Sequence, residues 1–163
     1  PMAFDVGMLL ANFWMSYFAQ SGHEADGSRD SMRRYLLSVI IEIWATFRAE
    51  FSRLWHSERN GILYQRALFE DQGDMLASEQ ALDLVLQGIW TDMLGFAGVE
   101  MHRRILGLAH NADFETIKNP DVRARCETKA LKLGRHLAVN RRSIHSIVEV
   151  NRLAERLEKE IVT

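Results

Sequence analysis

The sequence predicts an all-α protein of one domain. Two observations carry that reading. Only two prolines occur among 163 residues, Pro1 and Pro120, so nothing between them interrupts long helices. Valine and isoleucine nowhere alternate with polar residues over a useful length, whereas apolar residues recur at helical spacing through most of the chain.

The first helix is predicted to start at Asp5, a residue type favoured as an N-cap, and to run through Leu9, Leu10, Phe13, Trp14 and Phe18. Its circumference is apolar on most sides, which predicts burial on most sides. Ser21 to Ser28, containing Gly22 and Gly27, reads as a polar loop. A long helix is predicted from about Asp30 to about His56, with Leu36, Leu37, Ile40, Trp44, Phe47, Phe51 and Trp55 in register; Asn60-Gly61 closes the segment. Ile62 to Asp74 fits either a short helix or an irregular excursion. The next helix is predicted to begin near Ser78, and its periodicity continues from Leu82 to Leu108 through Gly88, Gly95 and Gly98. Interior glycines lower helix propensity, so either a break or close packing against another backbone is expected there. Asn111-Ala112-Asp113 opens a connector. Pro120 stands at the first turn of a further helix behind Asn119 as cap, ending near Asn140. A last amphipathic helix is expected after Ser143, through Ile144, Ile147, Val150, Leu153 and Leu157.

Composition narrows the function classes. A hydrophobic fraction of 47% with 26% charged residues is that of a globular protein, and the formal net charge of −2 lacks the basic excess of a nucleic-acid binder. The single cysteine, Cys126, allows no internal disulfide and fits a reducing compartment. No apolar run approaches the roughly 18 residues that span a bilayer. A cytoplasmic protein with no membrane or nucleic-acid partner is expected.

Self-sufficient catalytic motifs are missing. The sequence has no phosphate-cradling glycine loop and no dinucleotide fingerprint. His23-Glu24 lacks a partner histidine one turn on, so no metal ligand is assigned. His110-Asn111-Ala112-Asp113 reads as a helix end followed by a cap, and Cys126 lies mid-helix with no histidine beside it. Two features stand out. One is Phe4-Asp5 leading the apolar first helix. The other is Glu100-Met101-His102-Arg103-Arg104. Consecutive residues lie about 100° apart around a helix, so an amphipathic helix cannot easily expose both arginines. At least one guanidinium is expected to be partly buried beside an anion. That anion is Glu100, another local carboxylate, a phosphate or a substrate oxygen.

At these two places the sequence resembles the S-methyl-5-thioribose kinases, members of the aminoglycoside-phosphotransferase and choline-kinase branch of the protein-kinase-like folds. Pro1-Met2-Ala3-Phe4-Asp5-Val6-Gly7 resembles a Gly-Pro-Met-Gly-Phe-Asp-Ile-Gly stretch of that family. Gly95-Phe96 through Arg103-Arg104-Ile105-Leu106-Gly107-Leu108-Ala109-His110 carries the strongest block, and Ala130 to Arg135 keeps the order. Ala3 replaces a glycine of the family pattern, and Asn111 stands where an aliphatic residue is common.

The resemblance implies that residues 1–163 are the helical C-terminal part of such a kinase, with the nucleotide lobe, catalytic loop and metal-binding acidic motif lying in a missing N-terminal portion. It implies ATP and Mg2+ as cofactors of the full-length enzyme, none of them held by this chain alone. The implied reaction is phosphorylation of the anomeric hydroxyl of the sugar S-methyl-5-thioribose, in methionine salvage. Arg103 and Arg104 are implied to face substrate and transferring phosphoryl group, and Asp5 to organise the catalytic loop. Trp14, Trp90 and Phe96 are candidates for the methylthio pocket. The isolated chain is expected to be inactive and to form a homo-oligomer through its apolar first helix. The alternative is a free-standing, non-catalytic helical interaction or dimerisation module derived from such a kinase.

Overall fold

The computed structural model describes residues 2–24 and 26–161. It is all-α, with no strand among the described residues. Six helices follow in order: α1 Met2–Ala19, α2 Asp30–Ser57, α3 Met75–Leu106, the short α4 Ala112–Glu115, α5 Pro120–Asn140 and α6 Ile147–Lys159. Pro1, and Ala25 within the predicted loop, lie outside the described residues.

α1 is the central element. It packs most extensively on α3 and also touches α2, α4 and α5, while α5 lies along α3 and α6 closes over α5 and α2. The sequence explains that position: Leu10, Ala11, Trp14, Met15, Phe18 and Ala19 are all fully buried, too wide an arc for one neighbour to cover. Gly7 and Gly98 set the helix spacings. A Cβ on Gly7 would stand 2.6 Å from the Met93 carbonyl oxygen, and one on Gly98 2.4 Å from that of Gly134. Hydrogen in place of a methyl group lets α1 and α5 each settle directly on the backbone of α3.

One polar link through the core joins three helices. The indole N–H of buried Trp14 donates to Asn151 Oδ1 at 3.0 Å, and Asn151 Nδ2 donates to the Leu37 carbonyl at 2.9 Å. One asparagine of α6 thereby satisfies groups on α1 and α2, as buried polar atoms require.

The predicted helices are present, the predicted loop opens with a 3₁₀ turn at Gln20–His23, and three helix starts differ. α1 begins at Met2, so Asp5 lies within its first turn, where a carboxylate complements the helix dipole. α3 begins at Met75 because Asp74 accepts the Ala77 N–H at 3.0 Å; Ser78 is one turn inside and buried. α6 begins at Ile147, capped by Ser146 through the Glu149 N–H, and Ile144 remains in the preceding turn. Of the two outcomes expected at the α3 glycines, Gly98 shows the close packing and the helix is unbroken. Gly88 has nothing within 4 Å of where a Cβ would be. Asn119 caps α5 with Pro120 at its start, as predicted.

The ambiguous stretch after α2 is an excursion holding two 3₁₀ turns, Arg66–Leu68 and Glu70–Gln72. A buried cluster pins it. Arg59 lies over the Trp55 ring at 4.4 Å and pairs with Glu70. Ser78 Oγ donates to Glu70 at 2.7 Å and accepts the Trp55 indole N–H at 3.2 Å. Elsewhere α2 is thinly covered. Met2, Val6 and Leu9 of α1 face Val39, Ile43, Phe47, Phe51 and Leu54 across an apolar groove of about 660 Å³. No helix is long and apolar enough to cross a membrane among the described residues.

Candidate functional site

The arginine pair occupies the last turn of α3, where cations complement the carbonyl end of the helix dipole. The helix stops because Gly107 turns extended, its N–H donating to the Arg103 carbonyl at 3.1 Å. The next turn is tied back by the Asn111 N–H, which donates to the Arg104 carbonyl at 3.1 Å. Asn111 is buried, and its Oδ1 accepts the Asp113 N–H at 2.9 Å, starting α4. Its Nδ2 reaches Asn12 Oδ1 at 3.4 Å. Asn12 and Asn111 thus lock the end of α3 against the exposed face of α1. Sequence reasoning assigned no role to either; the Asn111-x-Asp113 spacing signals a cap, but nothing local signals that Asn12 stands opposite.

Glu100, one turn before the pair, is 3% exposed. Arg103 grips it with two bonds, Nε to Oε2 at 2.7 Å and Nη2 to Oε1 at 2.8 Å. The hydrogen bond to that carboxylate raises the Arg103 pKa further, so its charge is permanent. Its side chain is nevertheless half exposed. Arg104 is more enclosed; its Nε is 3.9 Å from Glu100 Oε1 and is buried without a hydrogen-bond partner among the described residues. Of the anions anticipated for the pair, the local carboxylate Glu100 lies against both arginines. It satisfies Arg103 and leaves Arg104 only partly neutralised.

Asp5 is exposed on α1. Seven residues separate it from Asn12, two helical turns or about 10 Å, and it forms no ion pair with either arginine among the described residues. The three aromatic candidates are not gathered around the pair. Trp14 sits in the core with its N–H taken by Asn151. Trp90 donates to the Ile144 carbonyl at 2.7 Å, far up α3. Phe96 meets Phe4 edge to face, with centroids 5.4 Å apart.

His23, Glu24 and Cys126 are engaged within the fold. His23 Nε2 lies 3.0 Å from the Asp113 carbonyl oxygen, and Glu24 pairs with Arg33. Cys126 is buried, which pushes its thiol pKa up and away from the thiolate. Among the described residues no group of three or more His, Cys, Asp or Glu is placed to hold a metal ion. The arrangement fixes positive charge at the end of α3, beside the buried Glu100 carboxylate.

No family model matches the chain. Individual proteins do. The methylthioribose kinase of Escherichia coli O45:K1 (strain S88 / ExPEC) is 35% identical over 151 residues, 92% of this chain and 36% of that protein. The chain is a relative of the methylthioribose kinases. Methylthioribose kinase 2 of Oryza sativa subsp. japonica is 34% identical over 157 residues, covering 92% of this chain and 35% of its own length. The methylthioribose kinase of Geobacillus thermodenitrificans (strain NG80-2) is 33% identical over 159 residues, 98% of this chain and 35% of its own. The chain thus spans roughly a third of each methylthioribose kinase it matches. That kinship agrees with the resemblance carried by the Phe4-Asp5 and Arg103-Arg104 blocks.

Proposed function

We propose that this chain is the helical C-terminal part of an ATP-dependent methylthioribose kinase, and that its arginine pair supplies fixed positive charge to phosphoryl transfer on the sugar's anomeric hydroxyl. The observation that carries the reading is identity of about a third across nine-tenths of the chain with proteins named for that activity. Phosphoryl transfer asks little of a protein beyond positioning and electrostatic stabilisation of charge on oxygen. Arg104 suits that role, being partly enclosed and carrying a buried N–H that no described residue accepts. Glu100 orients Arg103, and in this reading Asp5, exposed on α1, accepts backbone donors of the kinase's catalytic loop. In this reading the metal and the nucleotide are held by the remainder of a longer polypeptide.

The apolar groove between α1 and α2 supports both readings of the chain, with different occupants. In the kinase reading the rest of the polypeptide covers it. In the alternative, a non-catalytic interaction module, a second copy does. Assaying ATP-dependent phosphorylation of methylthioribose separates them, using the chain alone and the longest polypeptide its gene encodes. The kinase reading expects turnover from the long form and none from the chain alone; metal-dependent turnover by the chain alone, or none by a folded long form, overturns it.

A further inference from the structure

A recess distant from the arginine pair brings aromatic and charged side chains together. It lies where α2, the middle of α3 and the α5–α6 turn meet, thirteen residues or about 20 Å along α3 from Arg103. Trp44 and Trp90 meet there, with ring centroids 4.9 Å apart and planes at 52°. The Trp90 N–H is already used by Ile144, which anchors the turn and leaves that indole to offer apolar surface. Arg48, Asp83, Arg142 and His145 add charged and polar groups to the lining, beside Leu86, Gln87 and Thr91.

Three charged side chains, each on an exposed residue, thus border one open recess. Among the described residues none of Arg48, Asp83 and Arg142 forms an ion pair. A simple anion would suit the guanidinium groups but be opposed by Asp83, and a simple cation would suit Asp83 but be opposed by two arginines. A molecule carrying both signs over an apolar body satisfies all of them and the indoles together. The cavity is about 240 Å³, below the range of sites for drug-sized ligands, so its occupant is small.

Gly88 adds an independent observation. It lines a depression that adjoins the cavity through Arg142, Gln87 and Thr91. Glycine is unfavourable inside a helix, and no neighbour in the fold requires it here. Its effect is to leave helix backbone bare beside the cavity, as close approach of a ligand would need.

We infer that the cavity binds a free α-amino acid with a large apolar side chain, the carboxylate held by Arg48 and Arg142, the ammonium by Asp83, and the side chain against Trp44 and Trp90. Calorimetric titration of the chain with L-phenylalanine and with L-leucine tests this. Phenylacetate, which lacks the ammonium, and phenethylamine, which lacks the carboxylate, serve as controls. Saturable binding with a Kd of about 1 mM or tighter is expected for at least one amino acid, with each control at least about tenfold weaker. Arg142→Gln and Asp83→Asn should each weaken binding by about tenfold or more while leaving the melting temperature unchanged; Arg48→Gln stands in if either fails to fold. No saturable heat with either amino acid overturns the inference. So does phenylacetate binding as tightly as L-phenylalanine, or folded variants that keep the parent affinity.

Discussion

Replacing Gly98 by alanine tests whether backbone contact between α3 and α5 sets the spacing of the fold. The new Cβ would lie 2.4 Å from the Gly134 carbonyl oxygen, 2.8 Å from the Ala138 nitrogen and 3.0 Å from the Ala138 Cβ. Ordinary contact begins near 3.4 Å, so relief requires a displacement of about 1 Å. Two of the three obstacles are backbone, which cannot rotate aside as a side chain would. Overpacking of this kind costs about 1–3 kcal/mol, and rigid obstacles place Gly98→Ala at the upper end. Improved helix propensity returns about 1 kcal/mol, for a net loss of about 2 kcal/mol. For a domain of this size that lowers the melting temperature by about 4–8 °C. Gly88→Ala is the internal control: same helix, same chemical change, open space around the new methyl. It should gain about 1 kcal/mol and raise the melting temperature by about 2–4 °C. Thermal unfolding followed by far-UV circular dichroism reads both. A Gly98→Ala protein as stable as the parent, or a Gly88→Ala protein that falls alongside it, would refute the reasoning.

If the proposed kinase reading holds, Arg104→Ala in the longer polypeptide should lower kcat about a hundredfold or more with a smaller change in KM, and Arg104→Lys should recover only part. Near-normal turnover in both Arg103→Ala and Arg104→Ala would leave the pair a purely structural role. Breaking the buried Arg59–Glu70 pair by Arg59→Ala should cost about 3 kcal/mol in a denaturation midpoint experiment, because an unpaired carboxylate remains. The Ser78 hydrogen bond, with Arg59, holds the Glu70 carboxyl at about 2, below its ordinary 4.5. The folded-state pKa is depressed, so this contribution is complete above about pH 4.5 and is lost as pH falls towards 2. The stability gap between parent and Glu70→Gln should narrow over that window; a gap independent of pH contradicts the assignment. The α1–α2 groove should drive self-association of the chain, seen as dimers or larger species on sedimentation across a dilution series. Leu9→Glu should dissociate them, and a parent that stays monomeric at every concentration excludes the contact.

Helix identity was legible because it rests on local signals. Asn119-Pro120 and the spacing of Leu36, Leu37 and Ile40 depend on neighbours within a turn or two. Starts proved harder where two capping residues compete: Asp74 and Ser78, or Ser143 and Ser146, present equivalent side chains. Tertiary packing decides between them, burying Ser78 against Glu70 and leaving Ile144 outside the helix to receive the Trp90 N–H. The arginine pair was visible as two cations too close to share a solvent face, and Glu100 one turn away was among the anticipated partners. That Asn12 would meet Asn111 across 99 residues left no trace in either neighbourhood. Nor could local sequence show that Arg48 and Arg142 flank one cavity, since each reads alone as an ordinary surface charge.

The Asn151 link has a consequence for the order in which the molecule can be completed. It joins residues 137 and 114 positions apart, so during synthesis the ribosome must deliver nearly the whole chain before it forms. At about 5–20 residues per second, α1 waits many seconds with its widest apolar arc uncovered and the Trp14 N–H unmatched. α1 is made well before α6 and is finished only when α6 arrives. Through that interval newly made chains expose a sticky surface that the folded protein hides, and the yield of folded molecules at high expression should depend on whether α6 arrives before another nascent chain does.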